Sequence, residues 1–499
     1  MDALSRAGPR LFAPARLRDA AAVILVRGSR DQREVFWVRR GRGPAFAGFH
    51  AFPGGSVDEA DGALPVAGLP ADQASLFVAA VRELFEETGV LLARGSGIRS
   101  DLSSVRRGLL EGRLGFGEAL QASGACLDPA LVSPAGRWIT PDFAPVRFDA
   151  RFFLARLPEG QHAEVWPGEL ASGEWLAPSE ALRCWERGQA LLHPPALHIL
   201  RSLASADDDE LLEALRRPRQ VIDHVAQRIE LQRGIRSLPL RTPTLPPASH
   251  TSCYLIGDRE MLLVDPGSDD PAENMRMVRQ ARALRNEGRR LLAVVLTHHH
   301  RDHVLGSLVA KNELGAPVWA HRLTAEKVGG VDRLLEDGEE LALGGELPML
   351  LRVLHTPGHA SGHLCLFEEQ SRALLCGDML SGASTIVIDP PDGDMELYLA
   401  SLERLCALGP RTLFPAHGEV MPDGPERLAE AIAHRRWREE RLLQTLSEGP
   451  LPLAELTRRA YSDVAPAALP FAERSTLASL SWLERRGRIS RLGALFCLA

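Results

Sequence analysis

The stretch THHHRDH, residues 297–303, places four histidines and one aspartate within seven positions. It follows LLAVVL, a continuous apolar run that predicts a buried strand, so the polar residues begin where that strand ends. A solvated loop has no structural need for so many imidazoles, whereas crowded neutral nitrogen donors are typical of a metal site. The stretch therefore predicts a metal centre, provided that other segments supply the remaining ligands.

Three other segments have a metal-binding side chain directly after an apolar run, namely TPGH, CGD and PAHG. Together with the histidine stretch they offer seven nitrogen and oxygen donors: His298, His300, Asp302, His303, His359, Asp378 and His417. Donors at the ends of successive strands can converge on one edge of a sheet sandwich and bind two zinc ions. The ligands expected for the first ion are His298, His300 and His359. The ligands expected for the second ion are Asp302, His303 and His417, with Asp378 bridging the two ions.

The chemistry of this donor set favours catalysis. Imidazole and carboxylate without thiolate suit a catalytic zinc site with open positions better than a closed structural one. Two ions about 3.5–4 Å apart can generate a hydroxide at neutral pH and stabilise the oxyanion that it creates. We expect a bridging hydroxide to attack a carbonyl carbon or a phosphorus atom, with Asp302 and Asp378 as catalytic residues that fix its position. Iron or manganese can replace zinc in such a site.

The order H-x-H-x-D-H, TPGH, GD and PAHG resembles the signature of the metallo-β-lactamase superfamily. The resemblance implies an αββα sandwich, here expected over residues 220–430, and a metal-dependent hydrolase. Asp265, in LLVDPG, matches the superfamily aspartate that orients the ligand loop. His363, four residues after His359, is expected either to contact the substrate or the bridging water, or to support the site structurally.

Residues 431–499 continue with three helical segments and two short strand-like pieces. They resemble the winged-helix tail of the lactamase-β-like protein 2 group, whose members include endoribonucleases for single-stranded RNA and fungal thioesterases that act on carrier-bound polyketides. The tail has 11 arginines against 7 acidic residues, a basic balance that suits RNA. Packing against the sandwich or a homodimer interface explains the same composition.

A second motif, RELFEETGV at residues 82–90, resembles the second half of a Nudix box. Glu83, Glu86 and Glu87 are spaced to share one face of a helix. Such carboxylates suit Mg²⁺ or Mn²⁺ bound to a substrate diphosphate, so the three glutamates are expected to bind that ion and to be catalytic, with Arg82 beside them. The expected domain is an α/β/α sandwich over residues 1–215, and a solvated acidic helix face is the alternative.

The Nudix box is irregular. Counted from Gly55, the standard spacing has a glutamate where Asp61 stands and the arginine at position 69, so Arg82 implies an insertion of thirteen residues. A long insertion is similar to a Nudix subgroup that includes coenzyme A diphosphatases, and so is the HPP segment at residues 193–195. A degenerate, merely structural Nudix domain is the alternative.

Length and composition agree with a multidomain α+β and α/β protein. The chain has 499 residues and a net charge of −7, which argues against a protein that coats nucleic acid. Seven scattered cysteines without a C-x-x-C pair indicate a reduced compartment. Neither a signal peptide nor a membrane span is expected, so the predicted location is cytoplasmic, although the arginine-rich N-terminus also has the composition of a transit peptide.

The whole chain is therefore interpreted as a fused hydrolase. Its expected partners are a small-molecule substrate, acyl-coenzyme A or a nucleotide, or else single-stranded RNA, and no membrane. If RNA is the substrate, the Nudix domain can be structural. A third hypothesis is a non-enzymatic protein that binds RNA or another partner on inherited hydrolase folds. The intact set of ligands counts against that third hypothesis.

Overall fold

The computed structural model describes residues 15–43, 46–95, 102–144, 146–166, 168–217 and 229–499. The chain divides into two compact units, Met1–Arg233 and Gly234–Ala499, each with its own hydrophobic cores. The domain boundary expected near residue 220 lies outside the described residues, and so do residues 1–14 of the N-terminal segment. The expected domain limits therefore stay predictions.

The first unit contains a mixed sheet, a separate pair of short strands and several helices. Its strands are β1 Leu17–Arg27, β2 Glu34–Arg40, β3 His50–Ala51, β4 Gly54–Ser56, β5 Ala93–Arg94, β6 Cys126–Leu127, β7 Val132–Ile139, β8 Arg147–Arg156, β9 Leu170–Leu176 and β10 Ile229–Gln232. Its helices are α1 Ala71–Thr88, α2 Ser103–Leu110, α3 Phe116–Ser123, α4 Pro178–Glu186, α5 Pro194–Ser205 and α6 Leu211–Arg216.

Strand β1 is central in this sheet, whose order is β3-β2-β1-β8-β7, with β4 also paired to β1 and β9 to β2. Successive side chains of a strand point to opposite faces. Val23 and Leu25 pack in the core that contains α1, whereas Ile24 and Val26 pack in the core that contains α4 and α5. Both faces of the sheet are covered, which confirms the predicted α/β/α sandwich.

The second unit contains two sheets and a helical end. Its strands are β11 Ile235–Arg241, β12 His250–Gly257, β13 Glu260–Val264, β14 Arg290–Leu296, β15 Val318–His321, β16 Arg333–Leu335, β17 Glu340–Leu343, β18 Met349–His355, β19 Leu364–Glu368, β20 Ala373–Gly377, β21 Thr412–Pro415, β22 Met421–Pro422, β23 Leu451–Pro452, β24 Ile489–Leu492 and β25 Leu495–Leu498. Its helices are α7 Pro271–Asn286, α8 Arg301–Val304, α9 Ser307–Leu314, α10 Arg322–Ala325, α11 Met395–Leu408, α12 Gly424–Leu446, α13 Leu453–Ala460 and α14 Leu469–Arg485.

The two large sheets of this unit run in the orders β11-β12-β13-β14-β15-β16 and β17-β18-β19-β20-β21-β22. Helices α7 and α9 share a core with the first sheet, and α11 shares a core with the second. Tyr254 of β12 reaches the other sheet, where its hydroxyl donates to the carbonyl of Pro415 at 2.7 Å. The layers confirm the predicted αββα sandwich.

The last part of the chain is a winged helix, as predicted. Strands β24 and β25 form the wing, and β23 pairs with β25. Helix α12 continues across the expected domain boundary at residue 431: Leu428 packs in a sandwich core, whereas Leu442 packs in the core of the winged helix. The sandwich and the winged helix therefore share one continuous helix.

Two further findings concern membrane-spanning helices and the cysteines. Among the described residues, no helix is both long enough and apolar enough to cross a membrane. All seven cysteines lie in the described part of the chain and are free thiols.

Candidate metal centres

The histidine stretch lies where the sequence predicts it, directly after a strand. Strand β14 ends at Leu296, and the short helix α8 begins at Arg301. His298 and His300 therefore lie on the extended connection, while Asp302 and His303 belong to the first turn of the helix. Because the backbone changes from extended to helical within this short segment, the segment can supply ligands to two neighbouring metal ions.

All seven predicted donors come together, in two groups whose candidate ligand atoms lie within 4.8 Å of one another. The first group consists of His298, His300, His359 and Asp378. The second group consists of Asp302, His303 and His417. The division between the groups is the one that the sequence suggested.

Asp378 lies between the two groups. Its Oδ2 atom is 3.4 Å from Nε2 of His359 and 4.0 Å from Nε2 of His298. Its Oδ1 atom is 3.5 Å from Nε2 of His303 and 3.4 Å from Nε2 of His417. Each carboxylate oxygen therefore faces one group, which is the arrangement that a bridging ligand requires.

Four of the five histidines are fixed through the ring nitrogen that points away from the centre. The Nδ1 contacts are His298 to Thr297 Oγ1 at 3.0 Å, His303 to Asp265 Oδ2 at 2.8 Å, His359 to the carbonyl of Val387 at 2.9 Å, and His417 to the carbonyl of His250 at 3.1 Å. An oxygen acceptor at Nδ1 holds the proton there and leaves the lone pair on Nε2. All four rings thus turn Nε2, the nitrogen that would bind a metal, towards the centre.

Asp265 orients the ligand loop, as the resemblance implies. One of its carboxylate oxygens accepts from the backbone N–H of Thr297 at 2.8 Å. The other accepts from the Thr297 hydroxyl at 2.6 Å and from His303 Nδ1 at 2.8 Å. Since the Thr297 hydroxyl donates to Asp265, it is free to accept from His298. One carboxylate therefore fixes a ligand in each group.

His363 is fully buried, and both of its ring nitrogens are engaged within the protein. Its Nδ1 lies 2.9 Å from the Thr356 hydroxyl, and its Nε2 accepts from the backbone N–H of Asp378 at 3.1 Å. Gly377 must be glycine here, because its φ is +48° and an added Cβ would lie 2.6 Å from His363 Nε2. Of the two expected roles, the geometry favours structural support of Asp378 over contact with substrate.

The donor set fits a metal. Among the described residues, His303 Nε2 and Asp378 Oδ1 are buried without a hydrogen-bond partner, although a buried polar atom normally has one. In the first group, Nδ1 of His300 is 3.0 Å from Nε2 of both His298 and His359. Three nitrogens at this spacing, two of them with inward lone pairs, are suited to surround a cation.

The two groups differ in charge. Burial lowers the pKa of His298, and it lowers the pKa of His300 to about 3, so these two imidazoles of the first group are neutral. Burial also opposes charge on His417, but Asp378 and Asp302 outweigh it and raise the pKa of His417 to about 10. A cation that binds in the second group must therefore displace a proton.

A third group, which the sequence did not suggest, consists of His299, His300 and Asp392. Asp392 is ion-paired with Lys327 and also accepts from the backbone N–H of Ser361 at 3.3 Å. Because the lysine already neutralises this carboxylate, the third group is a weaker candidate for a metal than the other two.

The Nudix helix α1 brings its glutamates to Arg82. Arg82 donates to Glu83 Oε1 at 2.9 Å and to Glu86 Oε2 at 3.2 Å. It also makes two hydrogen bonds, of 2.8 and 2.9 Å, to the buried carboxylate of Asp61. In the standard spacing of the Nudix box, a glutamate occupies the position of Asp61. Although thirteen extra residues separate Asp61 from Arg82 in the sequence, the two side chains are in contact in the structure.

Glu87 occupies a different environment from the other two glutamates. It accepts from the backbone N–H of Gly54 at 2.8 Å, while its Oε1 atom is buried without a partner among the described residues. Burial raises the pKa of Glu87 to about 8 and that of Glu83 to about 7. In the described part of the chain, the glutamates do not form a three-residue group as tight as those of the histidine centre.

Comparison with known proteins agrees with these folds. Residues 246–417 match the profile of the Metallo-beta-lactamase superfamily, residues 16–106 match the NUDIX domain, and residues 453–495 match the Beta-lactamase associated winged helix domain. The Beta-lactamase-like protein 2 homolog of Caenorhabditis elegans is 30% identical over 219 residues, which are 43% of this chain and 71% of that protein. The chain belongs to the metallo-beta-lactamase superfamily.

This superfamily member is also similar to solved structures. A metallo-beta-lactamase family protein from Thermus thermophilus is 27% identical and covers 53% of this chain and 99% of its own, with a TM-score of 0.45. A NUDIX hydrolase from Alicyclobacillus acidocaldarius is 28% identical and covers 41% of this chain and 99% of its own, with a TM-score of 0.37. By its matched profiles, the superfamily member carries two domains of hydrolase families and a winged helix.

Proposed function

We propose that this chain is a dinuclear zinc hydrolase that cleaves the thioester of an acyl-coenzyme A. The observation that carries the two-ion proposal is Asp378, whose two carboxylate oxygens face different histidine groups. Zinc bound there would supply an activated water at neutral pH and stabilise the oxyanion of the attacked carbonyl. A single-ion site would not need a carboxylate placed between two sets of imidazoles.

The protein's own groups would orient the attacking water. Asp302 and Asp378 are carboxylates on the inner side of the centre, and each can accept a hydrogen bond from a water placed between the two groups. His363 holds the backbone of Asp378, and Asp265 holds His303. The backbone of Asp378, one of the two carboxylates that would receive the water, is therefore fixed before substrate arrives.

The choice of a coenzyme A thioester is supported by the two domains that the chain joins. The first unit resembles Nudix hydrolases of the subgroup that includes coenzyme A diphosphatases. A thioester hydrolase next to such a domain would act on the same class of molecule, one unit at the acyl end and the other at the diphosphate. For that second activity we propose Mg²⁺ or Mn²⁺ bound by Glu83, Glu86 and Glu87, after Arg82 has released its hold on two of them.

Single-stranded RNA is the second candidate substrate, and the winged helix is the reason to consider it. Many of its arginines are paired with acidic side chains, which reduces the charge that a phosphate backbone would meet. The pairs include Arg438–Asp463, Arg458–Glu455, Arg474–Asp389, Arg485–Asp394 and Arg491–Glu484. We therefore place RNA after the thioester. The predicted cytoplasmic location agrees with either substrate.

The test is product analysis by mass spectrometry after the protein, loaded with zinc and magnesium, is incubated with an acyl-coenzyme A. His298→Ala and Glu86→Gln proteins run alongside. We expect free acid and intact coenzyme A from the unaltered protein, and loss of both products in the His298 variant. Cleavage at the diphosphate that is lost only in the Glu86 variant would establish a working Nudix site.

Absence of both products would overturn the coenzyme A proposal and make single-stranded RNA the next substrate to test. Zinc content distinguishes the third hypothesis, a non-enzymatic binding protein, from the two hydrolase hypotheses. A protein that binds RNA or another partner without catalysis need not hold stoichiometric zinc, whereas the hydrolase must.

A further inference from the structure

A short irregular segment connects the metal centre to the winged helix. We call residues 386–388 the strap; they belong to neither a helix nor a strand. The carbonyl of Val387, in the middle of the strap, accepts a hydrogen bond from His359 Nδ1 at 2.9 Å. This contact leaves Nε2 of His359 facing Asp378, 3.4 Å away. The direction of a predicted ligand thus depends on the position of one backbone carbonyl.

Irregular backbone needs partners other than a strand ladder, and the strap receives them from helices α12 and α14. The guanidinium of Arg435, on α12, donates to the carbonyl of Ile386. The hydroxyl of Ser475, on α14, accepts from the backbone N–H of Ile388 at 3.1 Å. Both side chains are buried, with 7% of Arg435 and 5% of Ser475 exposed. The residues on either side of Val387 are therefore held from the C-terminal helices.

Arg435 is also linked to the metal centre through Tyr398. Its guanidinium lies 5.1 Å from the ring centroid of Tyr398. The Tyr398 hydroxyl donates to the carbonyl of Met379 at 2.7 Å, and Met379 directly follows Asp378. The same arginine thus supports the backbone near two predicted ligands, His359 and Asp378.

We propose that Arg435 and Ser475 are positioning residues of the metal centre, which hold the strap so that Val387 keeps His359 directed at Asp378. The inference rests on the metal site proposed above. It assigns the C-terminal helices a part in the hydrolytic site that does not require them to bind nucleic acid.

The two helices supply matched controls for simple packing. Ser479, one turn further along α14, is also buried, and its hydroxyl donates to the carbonyl of Ser475 at 3.0 Å. Arg438, on the same helix as Arg435, is also buried and pairs with Asp463. Neither side chain has a hydrogen bond to the strap in the described structure. Substitutions at these positions disturb the same helices without releasing the strap.

The experiment measures zinc affinity of the full chain by competition with a chelator, and records the visible spectrum of the cobalt-substituted protein. The strap variants are Ser475→Ala and Arg435→Met, and the controls are Ser479→Ala and Arg438→Met. We expect about tenfold weaker binding of one of the two ions in the strap variants, because loss of the partners that orient a ligand costs 10–100-fold in affinity. We expect the spectrum of the cobalt-substituted protein to change in the same variants. Ser475→Thr keeps the hydroxyl, so we expect it to have the zinc affinity and the cobalt spectrum of the unaltered protein.

A metal-free measurement accompanies the first. Hydrogen exchange at the Ile388 amide is expected to be faster in Ser475→Ala than in Ser479→Ala, because only the former loses its acceptor. Unchanged affinity in both strap variants, or an equal loss in strap and control variants, would overturn the inference. Unaltered protein that binds no zinc would instead overturn the proposed function, so the two failures are distinguishable.

Discussion

The centre around Asp378 and the glutamate helix α1 both hold carboxylates that are buried or half-buried, but they neutralise them differently. In the centre, Asp378 and Asp302 face only histidines, and no lysine or arginine in the described part of the chain pairs with either. On α1, Arg82 contacts Glu83, Glu86 and Asp61. A cluster of acidic donors thus indicates a metal most strongly where the chain supplies no fixed cation of its own.

Of the two sites, the histidine centre is therefore better arranged to bind a metal ion. Four of its five ligand rings are oriented through their outer nitrogens, and two polar atoms inside it have no hydrogen-bond partner among the described residues. The glutamate helix retains one such atom, Oε1 of Glu87. A magnesium ion there must compete with Arg82, whereas zinc at Asp378 competes only with protons.

The largest expected effect is loss of the bridge. In Asp378→Ala both ions lose a shared ligand, so we expect zinc content to fall well below two per chain. We expect hydrolysis to fall by more than about 100-fold, because even residues that only orient ligands cost 10–100-fold. Elemental analysis and initial rates check this. A variant that keeps two zinc ions would show that Asp378 is not a bridge.

The dependence of Arg82 on its acidic partners can be tested by measuring the free energy of unfolding. Asp61 is 1% exposed and pairs with Arg82, so Asp61→Asn leaves a buried arginine without its main partner and should lower the free energy of unfolding by about 3 kcal/mol. Urea denaturation measures it.

Asp58→Asn is the matched control. The Asp58 side chain is 66% exposed and lies 3.6 Å from the same guanidinium, so its loss should change stability by well under about 1 kcal/mol. Equal effects of the two substitutions would contradict the view that Arg82 depends on Asp61.

The orientation of the ligands is tested at Asp265. Asp265→Asn weakens its contacts to Thr297 and His303 together, so we expect about tenfold weaker zinc binding, measured by chelator competition. Asp258→Asn is the control, since Asp258 pairs with Arg289 in a turn of the same unit and should leave zinc affinity unchanged. If Asp265→Asn binds zinc normally, the ligand loop is held by other contacts.

The smallest effect is expected at His299. It is adjacent in sequence to His300, but its imidazole lies 3.5 Å from Asp392, which Lys327 already neutralises. His299→Ala should retain two zinc ions, whereas His300→Ala should lose one. Loss of zinc in both variants would mean that the third group contributes to metal binding.

Much of this arrangement could be predicted from the sequence, because ligands that directly follow apolar strands can meet at one edge of a sheet. This is why the seven expected donors lie together in the two expected groups, while metal binding by them stays a prediction. The motif RELFEETGV and the spacing of its three glutamates predict the Nudix helix, and the position of Asp61 follows from counting along the Nudix box. That Arg82 would bond to Asp61 as well as to two glutamates was not predicted, because that contact spans the insertion.

The sequence by itself therefore determined the candidate donors of the metal centre, since apolar strand runs and side-chain chemistry are local properties, and its motifs carry the resemblances that imply the folds. The tertiary structure decided how those donors are aimed. The carbonyls of Val387 and His250 and the hydroxyl of Thr297 fix three of the rings. Every residue has a backbone carbonyl, so the sequence does not indicate which carbonyl accepts a hydrogen bond from a histidine. Only the packing of distant segments places it against a histidine.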